Sequence, residues 1–222
     1  MRVSQMHRKL VAAAALLMLA VGLAGVARSQ QTQRPTSTPY SGDLSIFETP
    51  GRDERLQIQR VMDLLGIKHG SSVADIGAGS GWFTVRASAR VGSTGTVFAE
   101  DINPQAIACI DQRCQKEKLA NVRSVLGTPD DPKLPPQSVD AVLMLKVYHE
   151  VAHPLALLAK LKPALKPGAR IGIIDRNGNG ADHGLNSDVV KREMGEAGFK
   201  VVRSYDFTKA DGQDYFLIFQ LR

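Results

Sequence analysis

Residues 73–84, Val-Ala-Asp-Ile-Gly-Ala-Gly-Ser-Gly-Trp-Phe-Thr, restrict the fold of this chain more than any other stretch. Val73–Ile76 reads as a short apolar strand. Glycines follow at Gly77, Gly79 and Gly81, and a helical stretch, Phe83–Val91, begins almost at once. Glycines between a strand and a helix let the backbone turn tightly and approach a ligand, and open α/β sheets bind ligands at the carboxyl ends of their strands. The rest of the chain repeats the alternation. Strands are predicted at Thr96–Ala99, Val122–Leu126, Val139–Leu145 and Arg170–Ile174, and helices at Pro104–Leu119, Pro154–Leu165 and Asp188–Ala197. An earlier helix over Arg52–Leu65 carries Ile58, Val61, Met62 and Leu65 on one face, and Gly66 is placed to stop it. Two last strands, Lys200–Phe207 and Tyr215–Leu221, are joined through Lys209-Ala-Asp-Gly as a hairpin. Repeated strand-helix units give a parallel sheet covered on both faces, to which the hairpin adds an antiparallel edge.

The glycine loop is not a dinucleotide fingerprint. Its third glycine comes one residue early, and the bulky Trp82 stands where a small residue lets helix and strand pack. No Lys-Ser/Thr pair follows, which excludes a phosphate-binding P-loop. Instead Asp75-Ile-Gly-Ala-Gly-Ser-Gly resembles the first motif of class I S-adenosylmethionine-dependent methyltransferases. Further matches come in order: Ala99-Glu-Asp-Ile102, Gly127-Thr-Pro-Asp-Asp131, Ser138 to Leu145, and Leu165-Lys-Pro-Gly168. The likeness spans about residues 51–221. It implies an α/β, Rossmann-like, doubly wound sheet of seven strands, mostly parallel, with an antiparallel C-terminal edge strand.

The resemblance also implies roles. Gly77, Ala78 and Gly79 would lie under the methionine part of S-adenosylmethionine, and Asp75 would help to hold its amino end. Asp101, followed by Ile102, would accept hydrogen bonds from both ribose hydroxyls, a task for two acceptor oxygens; Glu100 is the alternative. Relatives often place an acid after strand three against the adenine. Here Thr128 follows Gly127 directly, and Asp130 is the expected adenine contact. The loop after strand four, with Lys146, Tyr148, His149 and Glu150, would face the substrate and the sulfonium. His149 is the candidate base because imidazole titrates near neutrality, and Tyr148 would line the methyl approach. The implied activity is methyl transfer to a small-molecule acceptor. An alternative is a non-catalytic binding domain of the same fold for a nucleoside-type ligand.

His149-Glu-Val-Ala-His153 also spells the H-E-x-x-H of zinc peptidases. That chemistry needs both histidines on one helical face. Here a strand runs straight into His149, and Pro154 biases His153 away from helical geometry, so no metal site is expected from the motif. His183, after strand five, lies on a loop able to cap the pocket. Cys109 and Cys114 fall about 140° apart on one helix and read as packing thiols.

The N-terminus has a separate logic. Arg2, Arg8 and Lys9 precede an 18-residue apolar run, Leu10–Ala27, that ends in Gly-Val-Ala. This pattern marks residues 1–27 as a secretory signal peptide, or, uncleaved, as a membrane anchor with its basic end in the cytoplasm. The folded part is then expected outside the cytoplasm, periplasmic or secreted. Residues 28–48 are polar and proline-containing and read as a flexible linker, leaving 49–222 as the domain. Without the three basic residues of the leader the formal charge falls from +6 to +3. No basic cluster with interleaved aromatics follows, so nucleic acid is not an expected partner.

Overall fold

In a computed structural model of the chain, residues 34–222 are described. The leader reading and residues 28–33 of the linker lie outside them. Arg34–Arg222 form one unit built around a seven-stranded sheet. Helices α1 (Arg52–Leu56) and α2 (Ile58–Leu65) come first, followed by β1 (Ser72–Ile76), α3 (Trp82–Val91), β2 (Thr96–Asp101) and α4 (Pro104–Glu117). Then come β3 (Val122–Leu126), β4 (Val139–Leu145), α5 (Pro154–Leu161), β5 (Leu165–Asp175), α6 (Ser187–Glu196), β6 (Phe199–Tyr205) and β7 (Tyr215–Leu221).

The strand order is β3-β2-β1-β4-β5-β7-β6. β1 to β5 pair in parallel, and β7 runs antiparallel to both β5 and β6. The antiparallel strand therefore lies inside the sheet and β6 takes the edge. Connections leave β1 towards β2 on one side and return to β4 on the other. That reversal opens a crevice at the carboxyl ends of β1 and β4.

The central strands are buried on both faces, as their unbroken apolar runs require. In β4, Ala141 and Leu143 join the core layer under α1, α2 and α3, while Val142 and Met144 join the opposite layer with Leu158 and Leu161 of α5 and Met194 of α6. β7 divides likewise: Phe216 and Ile218 face the first layer, Leu217 and Phe219 the second. Each such Val, Leu, Ile, Phe or Met side chain contributes roughly 1.5–3 kcal/mol by leaving water.

Two expectations change. The helix over Arg52–Leu65 is broken at Gln57, whose φ of 52° ends α1 and starts α2. Leu56 and Ile58 are both fully buried. A continuous helix would point these two about 200° apart, and the break lets both face the core. The linker reading also fails for residues 34–48. Arg34 pairs with Glu193 at 2.9 Å and donates to the carbonyls of Tyr148 (2.9 Å) and Val151 (3.0 Å). Ser37 is buried, and Leu44–Phe47 form a 3-10 turn started by Asp43 accepting from the Ser45 N–H. Composition misleads here because the segment is held by hydrogen bonds to distant loops and has no apolar periodicity of its own.

Candidate active site

β1 must turn into α3 without delay, and the glycines make this feasible. Gly77, Gly79 and Gly81 have φ of +69°, +55° and +77°, a region that costs other residues about 1–2 kcal/mol. At Gly77 space is also short, since a Cβ would lie 2.4 Å from Val147 Cγ2. The Ala78 N–H donates to the Glu100 carbonyl and the Gly79 N–H to Asp101 Oδ2, both at 2.9 Å. The loop becomes the bare backbone floor of a cavity of about 790 Å³.

Carboxylates line one end of this cavity. Asp75 is 3% exposed and accepts from Thr84 Oγ1 at 2.6 Å; burial pushes its pKa up to about 7. Glu100 is 2% exposed, and burial, assisted by the neighbouring Asp101 charge, pushes it up to about 8. Its Oε1 is buried without a hydrogen-bond partner. Asp101 accepts from the Gly79 N–H on one oxygen and from the Asn103 N–H (2.8 Å) on the other. Each of those oxygens keeps a second lone pair. Ile102 and Lys146 line the same space. Lys146 sits at φ +60°, and burial lowers its ammonium pKa.

At the other end, β4 runs into a 3-10 turn, Tyr148–Glu150. His149 is 2% exposed, and its Nδ1 lies 2.8 and 3.0 Å from the two carboxylate oxygens of Asp175, a fully buried residue at the end of β5. The His149 backbone N–H donates to the same carboxylate at 3.3 Å. That network assigns the proton to Nδ1 and leaves the Nε2 lone pair on the cavity side. Glu150 lines the cavity beside it, its pKa raised by burial to about 7. His183 meets the His149 ring edge-on, with centroids 5.9 Å apart.

The roof is the segment expected to be a linker. Tyr40, Leu44, Ile46 and Phe47 close the cavity, and Phe47 lies over Gly79. Glu48 anchors it by accepting from Ser80 Oγ and Arg113 Nη1, both at 2.6 Å. Arg52 and Arg86 both stack on the Trp82 ring, at 4.4 and 4.1 Å, and Arg52 also pairs with Asp211.

Of the residues singled out from sequence, Asp75, Gly77, Ala78, Gly79, Asp101, Ile102, Lys146 and His149 line this one cavity. Two do not. Tyr148 is fully buried in the core layer beneath α5 and α6, with Arg34 over its ring at 5.7 Å. A 3-10 turn advances about 120° per residue, so Tyr148 and His149 point apart. Asp130 points outwards, 52% exposed, and pairs with His153 at 2.8 Å. The tight turn closed between Thr128 and Asp131 presents Thr128 and Pro129 to the cavity instead.

The H-E-x-x-H spelling lies on loop geometry, as expected. His149 belongs to the 3-10 turn and His153 only caps α5, at φ −122°. Cys109 and Cys114 are both free. Sequence reasoning missed Asp175, Arg52 and the roof. Asp175 had a usable signal, an acid closing an apolar strand at the carboxyl edge of the sheet. The roof had none.

The family described as methyltransferase domain matches residues 73–168. A ubiquinone/menaquinone biosynthesis C-methyltransferase of Stutzerimonas stutzeri is 29% identical over 159 residues, covering 69% of this chain and 62% of that protein. A solved S-adenosylmethionine-dependent methyltransferase from Aquifex aeolicus superposes with a TM-score of 0.73 at 26% identity, over 82% of this chain and all of that one. Over residues 73–168 the chain is similar to the methyltransferase-domain family, and its sheet has the fold of class I S-adenosylmethionine-dependent methyltransferases. A demethylmenaquinone methyltransferase of Tropheryma whipplei is 33% identical over 112 residues, half of this chain and 44% of its own length. The chain thus spans 62% or less of these two curated relatives. The cyclase SpnF shares the fold alone, with a TM-score of 0.65 at 12% identity.

Proposed function

We propose that this chain transfers a methyl group from S-adenosylmethionine to a small-molecule acceptor. The observation that carries the reading is one cavity with two chemically different ends. The donor end fits the methyl donor: a glycine-turned backbone floor, the unpartnered buried Oε1 of Glu100, and the spare lone pairs of Asp101 for ribose hydroxyls. Asp75, Glu100 and Asp101 together favour a ligand that brings positive charge. When bound, the donor supplies an electrophilic methyl on sulfur. The protein's task is to align a nucleophile with it and exclude water.

His149 serves the acceptor end. Asp175 holds its ring, and its Nε2 lone pair is directed to the acceptor's proton. Tyr40 and Phe47 of the roof favour a flat, apolar acceptor. This agrees with relatives whose names place them in quinone biosynthesis. We further propose that residues 1–27 direct the domain out of the cytoplasm, which N-terminal sequencing of the mature protein checks through a start at Arg28.

Calorimetry with S-adenosylmethionine and S-adenosylhomocysteine tests the central reading. Both bind, and Asp101→Ala weakens both about tenfold to a hundredfold, since hydrogen bonds to charged groups are worth about 1.5–3 kcal/mol. Absence of binding to either would sink the proposal.

A further inference from the structure

His153 does not complete a zinc motif with His149, but another histidine reaches the place it leaves. Three potential ligand atoms, one each from His149, Glu150 and His183, lie within 4.8 Å of one another on the acceptor side of the cavity. His149 Nε2 is 3.8 Å from Glu150 Oε1. Ligand atoms sharing a tetrahedral ion with bonds of about 2.1 Å stand roughly 3.4 Å apart. The pair is close to that spacing already, and His183, whose side chain is exposed, has the freedom to close the rest.

Two further features prepare the cluster. Asp175 occupies Nδ1 of His149, the carboxylate–histidine arrangement that orients a metal-binding imidazole and leaves Nε2 as the ligand. The His183 loop is also built rather than loose. The His183 N–H donates to Ser37 Oγ at 2.9 Å, Ser37 is buried, and Ser37 Oγ donates to the Gly180 carbonyl at 2.8 Å. Arg176 donates to the carbonyls of His183 and Asp182. His183 itself is held at φ +58°.

We propose that His149, Glu150 and His183 bind a divalent transition-metal ion that engages the methyl acceptor. Two imidazoles and one carboxylate suit zinc, and also cobalt, nickel or iron(II), and three protein ligands leave a position open. An acceptor hydroxyl entering that position releases its proton to solvent. Its oxygen then forms the new bond to the methyl carbon with its own electron pair, while the methyl–sulfur bond breaks and leaves its pair on sulfur. In this state the Nε2 lone pair is committed to the ion, which takes over from the imidazole in keeping the acceptor deprotonated. The consequence for methyl transfer rests on the function proposed above; ion binding does not.

The test is titration of the chelator-treated full chain with Co²⁺, followed by visible absorption, and with Zn²⁺ by calorimetry. One equivalent binds. His183→Ala and Glu150→Gln each weaken it at least tenfold, Asp175→Asn weakens it about tenfold to a hundredfold, and His153→Ala leaves it unchanged. Circular dichroism checks that each variant is folded. The two variants at the less buried ligands, His183→Ala and Glu150→Gln, suffice if replacement at the buried Asp175 disrupts the domain. No binding below about 100 µM, retention of binding in His183→Ala, or its loss in His153→Ala overturns the site. S-Adenosylhomocysteine binding without metal binding defeats the metal site alone. Metal binding without S-adenosylhomocysteine binding defeats the methyltransferase reading alone.

Discussion

At Gly77 two constraints act on one atom. The backbone is left-handed at φ +69°, and a Cβ would press to 2.4 Å from Val147. Gly77→Ala is expected to destabilise the domain by about 2–5 kcal/mol, from about 1–2 kcal/mol of backbone strain and about 1–3 kcal/mol of overpacking. The urea midpoint reads this, and Val147→Ala added to the variant restores part of it. The buried acids give a second residue-scale prediction. Asp75 and Glu100 titrate at about 7 and 8 in the folded chain, mainly through burial, against ordinary values of 3.8 and 4.5. Their folded pKa values are raised, so the folded state holds more protons than the unfolded state between about pH 4 and 8. Their contribution is therefore intact below about pH 4 and is lost as pH rises through about 7 and 8. Thermal midpoints should fall over that window for the ligand-free protein, and Glu100→Gln should flatten the fall. An unchanged profile in that variant would remove Glu100 as the cause. Asp75 and Asp101 were legible as site residues because motif spacing sets them at strand ends. Tyr148 and Asp130 were not, because a tight turn decides which of two adjacent side chains faces a cavity.

The roof is the element most dependent on contacts made far along the chain. Its hold on the domain centres on Arg34, whose pair with Glu193 is nearly buried, with side chains 11% and 9% exposed. Removing one partner of such a pair leaves the other charge without compensation, a loss of about 3–5 kcal/mol when burial is complete. Arg34→Ala is expected to release residues 34–48 while leaving the sheet intact. Hydrogen exchange reads this as faster exchange at the Ser37 N–H, which donates to the His149 carbonyl at 3.3 Å, with unchanged protection in β4 and β5. Equal loss of protection in the sheet would mean that the roof is part of the core. The α1–α2 break belongs to the same scale. Periodicity identified the buried face of α2, but it had no means of registering a one-residue kink that serves Leu56.

Across the whole molecule, the sheet has little spare room between β5 and α2. A Cβ at Gly172 would lie 2.9 Å from Phe216 Cε2 and 3.0 Å from Leu65 Cδ2. Gly172→Val should cost about 1–3 kcal/mol by overpacking, seen as a lower urea midpoint with an unchanged slope. Ligand linkage supplies the complementary measurement. Donor at a hundred times its dissociation constant should stabilise the fold by about 2.7 kcal/mol, and Asp101→Ala, with binding about tenfold to a hundredfold weaker, should lose about 1.3–2.3 kcal/mol of that gain. A stability gain equal in both proteins would separate the ligand from the cavity described here.

The local sequence by itself determined the alternation of strands and helices, the parallel sheet, and the glycine loop that marks its ligand-binding edge. These follow from short-range physics: residue periodicity, the left-handed freedom of glycine and the run of apolar residues in buried strands. Only the tertiary structure decided that β7 lies inside the sheet, that residues 34–48 roof the cavity, and that His183 and Asp175 converge on His149. Each of those depends on hydrogen bonds and packing between residues far apart in the chain, and such contacts leave no period or spacing in the segments that make them.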